Sequence, residues 1–544
     1  MNATWLIPLP VLLPLIGAAL TLVVRRSVPA QRIISIVALS ASTAVTAVLI
    51  PITDRHGPQT IWLGSWDGLG IALVADRLSA LMLLVSSIVT LLVLIFSIGQ
   101  GVADSGRNTP LSIYFPTFLV LSAGVANAFL AGDLFNLFVG FEILLFASYV
   151  LLTLGGTAAR IQAGTSYIVV SLVSSLLFLV GIAAVFGATG TVNFAQLAQR
   201  LGDISPGASL TIQLLLLTAF GIKAAVFPMS AWLPNSYPTA PAPVTAVFAG
   251  LLTKVGVYAI IRTQTLLFAD SQLYGLLMWV ALLTMVVGIL GAVAQSGIKR
   301  MLSFTLISHI GYMIFGVALG TQAGLSGATF YVVHHITIQT SLFLVTGLIE
   351  RVGGSTSLDR LGGLALVSPV LGVLFFLPAM NLGGIPPLSG FMAKTGLLQA
   401  GMAYGGWLAY LLVAGALATS LLTLYAVAKA WSQAFWRTPN EAMLSSVTRA
   451  PDLDTDRMLG VDDGVADREF SVRILAPDDV EQDDESTGDK AMPFTMVTAT
   501  AAVILVSVAI TVFAGPLYEF TDRAARDMLL QTPYIESVLV GSTP

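Results

Sequence analysis

Two lysines interrupt apolar stretches near the middle of this sequence. Lys223 and Lys254 lie in FGIKAAVF and LLTKVGVY, which otherwise read as membrane-spanning helices. An ammonium group at the centre of such a helix costs about 2.5–3.5 kcal/mol even on the gentlest insertion scale. Proline recurs between the two lysines, and proline lacks an N–H and clashes with the preceding helical turn. These prolines are Pro228, Pro234, Pro238, Pro241 and Pro243. Two buried cations beside a broken backbone predict an ion pathway.

A glutamate in another apolar stretch supplies the opposite charge. Glu142 lies in LFNLFVGFEILLFASY. Two unit charges about 4 Å apart attract by about 4 kcal/mol at an effective dielectric constant near 20. That attraction is enough to hold a proton on Lys223 while the carboxylate is near and to release it when the carboxylate moves away. The sequence therefore predicts a Glu142–Lys223 proton switch. The alternative is a neutral, packed Glu142, or one that hydrogen-bonds to a broken helix end.

Further titratable side chains fall within apolar stretches and could extend a proton route. Lysine and histidine hold and release protons readily when burial disfavours the charged form. We therefore predict a relay in which such groups are linked by water. The candidates are Lys254, His309, His334, His335 and Lys394. The alternative for each histidine is a structural hydrogen bond, and we assign no side chain to a metal.

The composition excludes a soluble protein and most cofactor chemistry. Of 544 residues, 56% are hydrophobic and 10% are charged, with mean hydropathy +0.88, whereas soluble domains carry about 25% charged residues. Without cysteine, the chain has no disulfide, thiolate iron–sulfur or thiolate zinc site. The sequence also lacks a P-loop and H-E-x-x-H, the motifs of phosphate binding and zinc hydrolysis. We predict no cofactor, no enzymatic active site and no nucleic-acid partner.

Apolar stretches long enough to cross a bilayer recur along the chain. A bilayer core of about 30 Å needs about 20 residues of helix. We predict an all-α polytopic membrane protein with about 14 transmembrane helices. The predicted spans are residues 5–24, 33–51, 73–98, 111–130, 134–154, 165–187, 210–228, 243–267, 273–294, 303–319, 328–349, 366–400, 407–430 and 493–516. The twelfth is interrupted by LGGIPPLSG at 382–390.

Basic residues of the short loops predict the orientation, because cytoplasmic loops carry an excess of lysine and arginine. If the N-terminus lies outside, most of these basic residues fall in loops on the cytoplasmic side of the membrane. With fourteen spans, the C-terminus then lies outside as well. The cytoplasmic side holds Arg25, Arg26, Arg32, Arg107, Arg160, Lys299, Arg300, Arg351 and Arg360, against Arg55 and Arg200 on the other. Residues 437–490 contain 15 Asp or Glu and 6 Lys or Arg. We expect this acidic segment to be a mostly disordered cytoplasmic loop, since it cannot bury a core.

Spans 7 and 12 share a pattern in which one lysine lies close to a helix break. The residues concerned are Lys223, Pro228 and Pro234 in and after span 7, and Gly384, Pro386, Pro387 and Lys394 in span 12. Paired interrupted spans in the two halves of a chain predict inverted repeats around a transport site. We place the repeats at 111–268 (spans 4–8) and 273–430 (spans 9–13). Spans 1–3 fall within 1–130, and 493–516 forms a separate last span.

Three charged residues near span ends are expected to be structural. Asp76 and Arg77 are adjacent in sequence, so on a helix they point to different faces. We expect them to be interfacial anchors or to make separate contacts between helices, and not to form a site. Asp133 precedes the fifth span, at a position where aspartate commonly caps a helix N-terminus.

These residues resemble those of a known family, the antiporter-like membrane subunits shared by Mrp-type multisubunit Na⁺/H⁺ antiporters and the proton-pumping arm of respiratory complex I. The resemblance rests on LFNLFVGFEILLFASY, FGIKAAVFPMSAWLPNSYPTAPAPVTAVFAGLLTKVGVY, ISHIGYM and GGIPPLSGFMAK. It covers nearly the whole chain except 437–490. Within the family, SYPTAPAPVTAVFAGLLTKVGVYAIIR is most similar to D-type Mrp subunits. Complex I relatives tend to carry a histidine-rich version of the WLPNSY loop.

The resemblance implies a role for each matching position. The matches are Glu142 and Lys223 for the switch pair, Lys254 for the bridging lysine, His334 or His335 for a relay histidine, and Lys394 for the lysine at the far end of the relay. It also implies Mrp subunits of the A, B, C, E, F and G types as partners, protons and Na⁺ as transported ions, and the lipid bilayer of a prokaryotic plasma membrane as the location.

Two other functions stay open. One is a proton-pumping membrane subunit of complex I or of a membrane-bound hydrogenase, in which electron transfer in a partner supplies the energy. The other is a scaffold that transports nothing, whose buried charges only brace the fold. Several buried charges without a function would together cost several kcal/mol, which disfavours the scaffold.

Overall fold

The computed structural model describes residues 3–64, 70–101, 113–269, 271–438 and 492–539. These residues form a helical bundle with a two-stranded antiparallel hairpin of β1 (Gln59–Leu63) and β2 (Ile71–Ala75). The helices up to the middle of the chain are α1 (Leu9–Val23), α2 (Val28–His56), α3 (Arg77–Gln100), α4 (Tyr114–Leu130), α5 (Leu134–Thr153), α6 (Ala158–Thr189), α7 (Phe194–Arg200), α8 (Pro206–Ala224), α9 (Leu233–Ser236), α10 (Ala242–Val247) and α11 (Thr253–Leu266). The later helices are α12 (Tyr274–Val293), α13 (Ile298–Ala318), α14 (Gln322–Gly353), α15 (Leu364–Val367), α16 (Pro369–Gly383), α17 (Ser389–Tyr404), α18 (Trp407–Trp431), α19 (Phe494–Val512), α20 (Ala514–Leu530) and α21 (Thr532–Leu539).

The predicted polytopic membrane fold is confirmed. Among the described residues, 12 helical stretches are long and apolar enough to cross a membrane, and α10 and α11 count there as one stretch, Ala242–Leu266. Two shorter apolar helices, α4 and α16, lie where the sequence predicts the fourth span and the first part of the twelfth. The count of fourteen spans stays a prediction, because helix length alone supports only the longer ones.

The interruptions predicted in spans 7 and 12 are present. Helix α8 ends one residue after Lys223, and Ala225 follows with φ +58°, in the left-handed region. Pro228 lies in the loop beyond, and Pro234 falls in the first turn of α9, where a proline is tolerated. Helix α16 ends against Gly384 with φ +84°, and the chain resumes as α17. Pro386 and Pro387 lie between these two helices.

Helix α14 is the centre of the bundle. The most apolar 18 residues of this helix are all buried, and it packs against α3, α13, α16, α17, α19 and α20. A helix that is covered on every side belongs to the core. Polar side chains on α14, including His334 and His335, therefore face other helices and not lipid.

The charged residues expected to tie helices together do so. Asp76 caps α3 through the backbone N–H of Ser79 and forms a buried ion pair with Arg262 at 2.6 Å. Arg77 pairs instead with Asp54 at 2.8 Å and with Asp527, so the two adjacent residues do serve different contacts. Burial acts to raise the pKa of Asp76, but the attraction and hydrogen bonding of Arg262 outweigh it and lower that pKa.

Asp133 caps α5 as predicted. Its carboxylate accepts a hydrogen bond from the backbone N–H of Asn136 at 2.6 Å. Burial raises the pKa of Asp133 to about 6, because the hydrogen bonds from backbone N–H groups offset only part of the desolvation.

Two helices after the last predicted span were not foreseen. Helix α20 packs on α14 and α3, and Gln322 donates to Asp522 on it at 2.8 Å. Gln531 donates to the carbonyl of Thr265 at the end of α11, at 2.7 Å. The charged residues of α20 hid its apolar face from a search for continuous apolar runs. Most of the predicted acidic loop, 437–490, lies outside the described residues.

The two halves of the bundle repeat a local feature. One backbone bridge joins Asp133 to Asn193, just before α5 and α7, and another joins Gly297 to Ser357. The same number of residues separates Asp133 from Gly297 and Asn193 from Ser357. Each bridge therefore lies at the same place relative to the helices of its own half.

Replacing Asp76 by Asn should destabilise the protein by about 3–5 kcal/mol, because it keeps a capping side chain but leaves the guanidinium of Arg262 buried without a counter-charge. Thermal unfolding of the purified protein in detergent measures the loss. The control is Arg526→Gln, since Arg526 is largely exposed and pairs with Asp522 only at 3.7 Å. Equal unfolding temperatures for the two variants would contradict the role given to the buried pair.

Candidate functional site

Glu142 and Lys223 meet through a serine that the sequence analysis missed. Ser175 on α6 donates a hydrogen bond to Glu142 Oε1 and accepts one from Lys223 Nζ at 3.1 Å. Lys223 Nζ also donates to the carbonyl of Ser171 at 3.4 Å and lies 5.6 Å from the ring centroid of Phe141. Glu142 and Lys223 are each half-buried. The hydroxyl of Ser175 thus relays the interaction between carboxylate and ammonium.

A small cavity adjoins Lys223 on the side that faces α11. Its volume is about 20 Å³, and Lys223, Ser171, Tyr237 and Leu252 are among its lining residues. A polar cavity of roughly 10–15 Å³ is sufficient for one water molecule. The lining is mostly apolar, but it includes Lys223, Ser171 and Tyr237. Within the described chain, the buried hydroxyl of Tyr237 has no protein hydrogen-bond partner, so the cavity has room for one water and polar groups in its wall.

Lys254 is wholly buried next to an irregular turn. A π turn, Phe248–Leu252, joins α10 to α11, and Lys254 Nζ donates to the carbonyl of Ala249 within it at 2.5 Å. Such turns frequently occur at functional sites. Lys254 also interacts electrostatically with His309 and His335. It therefore stands between the Lys223 cavity and the histidines.

The histidines and two tyrosines form a buried aromatic cluster. His309 Nδ1 lies 2.8 Å from the hydroxyl of Tyr331, and His309 Nε2 lies 3.4 Å from Thr423 Oγ1. The rings of His309 and His335 are 5.1 Å apart, and those of Tyr312 and Tyr331 stack at 5.2 Å. His309 is therefore part of the cluster. The sequence alone favoured neither a structural nor a functional role for this residue.

Lys394 closes the far side of this cluster at the second helix interruption. Its ammonium donates to the carbonyls of Leu382 and Gly383 at 2.9 and 3.1 Å, and to Ser420 Oγ at 3.0 Å. These carbonyls end α16, where no further helical N–H follows to bind them. The ammonium also lies 5.4 Å from the ring centroid of Tyr312. The broken helix thus provides the acceptors that a buried lysine needs.

His334 points along a different branch. Its Nδ1 lies 3.0 Å from Ser389 Oγ at the start of α17. Asn381 Nδ2 donates to the same oxygen at 3.1 Å and to Ser507 Oγ on α19 at 2.9 Å. This branch connects the cluster to the last apolar helix of the bundle.

The candidate residues fall into two groups that one gap separates. Glu142 and Lys223 form the first group, and the histidines with Lys394 form the second, with Lys254 between them. No direct hydrogen bond joins Lys223 to Lys254 among the described residues. Several buried polar atoms without a protein partner among the described residues lie beside Lys254 or on the helices of the cluster: Thr253 Oγ1, His334 Nε2, His335 Nδ1 and Nε2, Gln339 Oε1 and Thr419 Oγ1. Such atoms are normally satisfied by water.

Sequence reasoning missed the groups that join these candidates. Ser171, Ser174 and Ser175 are spaced three and four residues apart and share one face of α6, and this polar face was available as a signal. Tyr331 lies one helical turn before His334 and His335 and shares their face. The π turn before Lys254 has no comparable signature in the sequence.

The sequence matches a known family. Residues 131–422 match the family described as "NADH:quinone oxidoreductase/Mrp antiporter, TM". A similar curated protein is the D subunit of the Na⁺/H⁺ antiporter of Alkalihalophilus pseudofirmus, which is 40% identical over 435 residues, covering 79% of this chain and 87% of that protein.

Solved structures share the fold. A chain in the structure of the Mrp complex from Dietzia sp. DQ12-45-1b is 31% identical, with TM-score 0.84, and the match covers 99% of this chain and 100% of that one. A chain of respiratory complex I from Thermus thermophilus is 23% identical, with TM-score 0.74, over 96% of this chain and 99% of that one. At that identity the second likeness concerns the fold alone.

Gly256 should be irreplaceable where α11 meets α8. A Cβ atom at Gly256 would lie 2.7 Å from the backbone nitrogen of Ala224, next to Lys223, so Gly256→Ala must push the two helices apart. We expect the free energy of unfolding to fall by about 1–3 kcal/mol, which a lower unfolding temperature would show. In Gly187→Ala, the matched control on α6, the added Cβ meets open space. A Gly256→Ala protein as stable as that control would show that the close approach is not needed.

Proposed function

Since this chain belongs to the family of antiporter-like membrane subunits and within it to the D subunits of Mrp-type Na⁺/H⁺ antiporters, we propose that it carries the protons exchanged in such a complex. It is a component of a transporter and not an enzyme. The proposed route runs from the Glu142–Lys223 switch through Lys254 and the histidine cluster to Lys394. The observation that carries the proposal is the burial of titratable groups, Lys254, Lys394 and three histidines, inside a largely apolar bundle.

The energetics of burial support transport over bracing. Lys254 is 0% exposed and Lys394 is 4% exposed, and an ionisable group at such depth is expensive unless it is used. Neither lysine has a carboxylate within ion-pair distance among the described residues, whereas Arg262, which does brace the fold, has Asp76. Lysines without a counter-charge exchange protons more easily than a buried ion pair does.

We propose that Ser175 transmits the switch. With Glu142 and Lys223 both hydrogen-bonded to this hydroxyl, the carboxylate stabilises the ammonium. Moving α5 away from α6 breaks the contact and removes that stabilisation. Because the two charges face each other across the Ser175 hydroxyl, the stabilisation is smaller than the roughly 4 kcal/mol of two charges about 4 Å apart at an effective dielectric constant near 20. Lys223 then releases its proton into the adjoining cavity, towards Lys254.

The second half of the proposed route uses water and imidazole. Lys254 passes its proton to the unpartnered nitrogens of His335 or to His309, and the cluster leads to Lys394. The interruption between α16 and α17 provides the far end of the route. The recurrence of a bridge and of a broken helix in each half supports two inverted repeats at 111–268 and 273–430.

We propose Mrp subunits of the A, B, C, E, F and G types as partners, Na⁺ as the exchanged cation, and a prokaryotic plasma membrane as the location. The charge of the loops supports an orientation with both termini outside and the acidic segment 437–490 in the cytoplasm. The alternative is a proton-pumping subunit of complex I or of a membrane-bound hydrogenase. Purification of the intact complex separates the two, since small multispan antiporter subunits would accompany the chain in one case, and iron–sulfur and flavin subunits in the other.

Removing either charge of the switch should abolish Na⁺-dependent proton transport. Glu142→Gln preserves the shape of the side chain, and Lys223→Gln leaves a shorter polar side chain; neither glutamine titrates. We expect everted vesicles with the full complex to lose the Na⁺-induced ΔpH in both variants, at normal amounts of assembled complex. Wild-type ΔpH in either variant would refute the switch, and loss of assembly in both would favour a scaffold.

The bridging hydroxyl provides a finer prediction. Ser175→Ala should slow Na⁺-dependent proton transport about tenfold or more, since positioned proton-transfer groups contribute about 10²–10⁴-fold. Ser174→Ala is the matched control, because that neighbouring hydroxyl donates to the carbonyl of Ala219 at 2.8 Å and touches neither charge. The idea fails if the two alanine variants transport equally fast in the same vesicles.

A further inference from the structure

The hydrogen bonds around His309 fix the tautomer of its neutral ring. Thr423 Oγ1 donates its only proton to the carbonyl of Thr419 at 2.8 Å. Toward His309 Nε2 it can therefore only accept, so Nε2 carries the hydrogen. The other nitrogen, Nδ1, then has a lone pair and accepts from the hydroxyl of Tyr331, 2.8 Å away.

Protonation of His309 reverses one of these bonds. An imidazolium has an N–H on both nitrogens and accepts nothing. The hydroxyl of Tyr331 must then turn so that its oxygen accepts from Nδ1 and its proton points elsewhere. His335 lies beside both rings, 5.1 Å from His309 and 6.2 Å from Tyr331 between ring centroids. Within the described residues neither ring nitrogen of His335 has a protein partner, so this neighbouring ring carries an unused acceptor.

We propose that Tyr331 is a positioning residue whose hydroxyl turns each time His309 gains or loses a proton, so that His309 can take up a proton only while Tyr331 directs its own hydrogen towards His335. This inference rests on the proposed proton-transport function and deepens it. No bond is made or broken in Tyr331 itself. Its hydroxyl proton stays on the oxygen, and only the donor and acceptor roles are exchanged.

The surroundings of Tyr331 support rotation of a hydroxyl without movement of the ring. The ring is fully buried and stacks on Tyr312 with an interplanar angle of 11°, which holds it in place. Rotation about the C–O bond is then the motion that remains. The titratable groups that face His309 are Tyr312 on its own helix, Tyr331, His334 and His335 on α14, Lys254 on α11 and Lys394 on α17.

The first half of the bundle has a tyrosine at the matching place. Tyr167 and Tyr331 are separated by the same number of residues as the paired backbone bridges. The hydroxyl of Tyr167 lies 2.7 Å from Ser148 Oγ and not from an imidazole. A tyrosine therefore recurs at the matching position, but of the two tyrosines only Tyr331 forms a hydrogen bond to a titratable ring.

The test uses Tyr331→Phe in vesicles that hold the complete complex. This variant keeps the stacked ring and removes the hydroxyl. We expect Na⁺-dependent proton transport to fall about tenfold or more. We also expect its pH optimum to move to more acidic values, because the charged imidazolium of His309 loses more stabilisation than the neutral ring does when the oxygen acceptor of Tyr331 is removed. Tyr114→Phe, which removes a buried tyrosine hydroxyl on α4, should transport like the wild type.

A double-variant cycle separates positioning from simple packing. If Tyr331 acts through His309, then Tyr331→Phe should slow a His309→Gln complex no further, whereas independent roles would multiply the two losses. Multiplied losses, or a Tyr331→Phe complex with wild-type rate and pH profile, would overturn the proposal. If Tyr331→Phe assembles poorly, Thr423→Val replaces it in the cycle, because it removes the other hydrogen-bond partner of His309. Combined with His309→Gln, Thr423→Val should likewise cause no further loss of transport rate.

These experiments distinguish a failure of the proposal for Tyr331 from a failure of the proposed proton-transport function. If Glu142→Gln and Lys223→Gln abolish transport while Tyr331→Phe leaves it unchanged, the relay stands and the role of Tyr331 is refuted. If those charge-removing variants transport normally, the proposed function falls and this inference falls with it.

Discussion

Burial of ammonium groups against carbonyl oxygens is the constraint on which the rest of this structure depends. Lys394 binds the carbonyls of Leu382 and Gly383 at the end of a broken helix, and Lys254 binds a carbonyl in a π turn. A regular helix engages its carbonyls in its own ladder, so acceptors for a lysine arise where that ladder is disturbed. The irregular backbone is therefore what permits lysine in the core.

Neutral acceptors have a consequence for proton chemistry. A carboxylate in contact with each lysine would hold its proton firmly, as Asp76 secures the charge of Arg262. Carbonyls and hydroxyls bind an ammonium but also tolerate the neutral amine, because they carry no net charge. The bundle thus contains one buried cation that is paired with a carboxylate and others that contact only neutral acceptors, and we propose that the first braces the fold and the others carry protons.

The sequence was sufficient to predict the parts that composition dictates. Apolar runs mark the spans, prolines and glycines mark the interruptions beside Lys223 and Lys394, and isolated charges mark the candidate relay. The connecting hydroxyls of Ser175 and Tyr331 could not be assigned, because serine and tyrosine are common in membrane helices and their partners lie on other helices. The π turn before Lys254 packs against α14, and no local pattern encodes it.

The amphipathic helix α20 escaped prediction for a different reason. Its charged residues place it below any threshold for a membrane span, yet its apolar face packs on α14. The pairing of Arg262 with Asp76 was also missed, since Arg262 lies within the predicted span 243–267 and nothing along the sequence connects it to Asp76. Both features depend on contacts between distant parts of the chain, which periodicity along one helix does not report.

Lys254 lies at the midpoint of the proposed route, and its replacement tests the central claim most directly. The measurement is the Na⁺-induced ΔpH in vesicles that contain the Lys254→Gln complex at wild-type abundance. The account predicts that the assembled complex produces no ΔpH, because the link between Lys223 and the histidine cluster is lost. A ΔpH equal to that of the wild type would contradict it, and would mean that protons do not travel along the buried lysines.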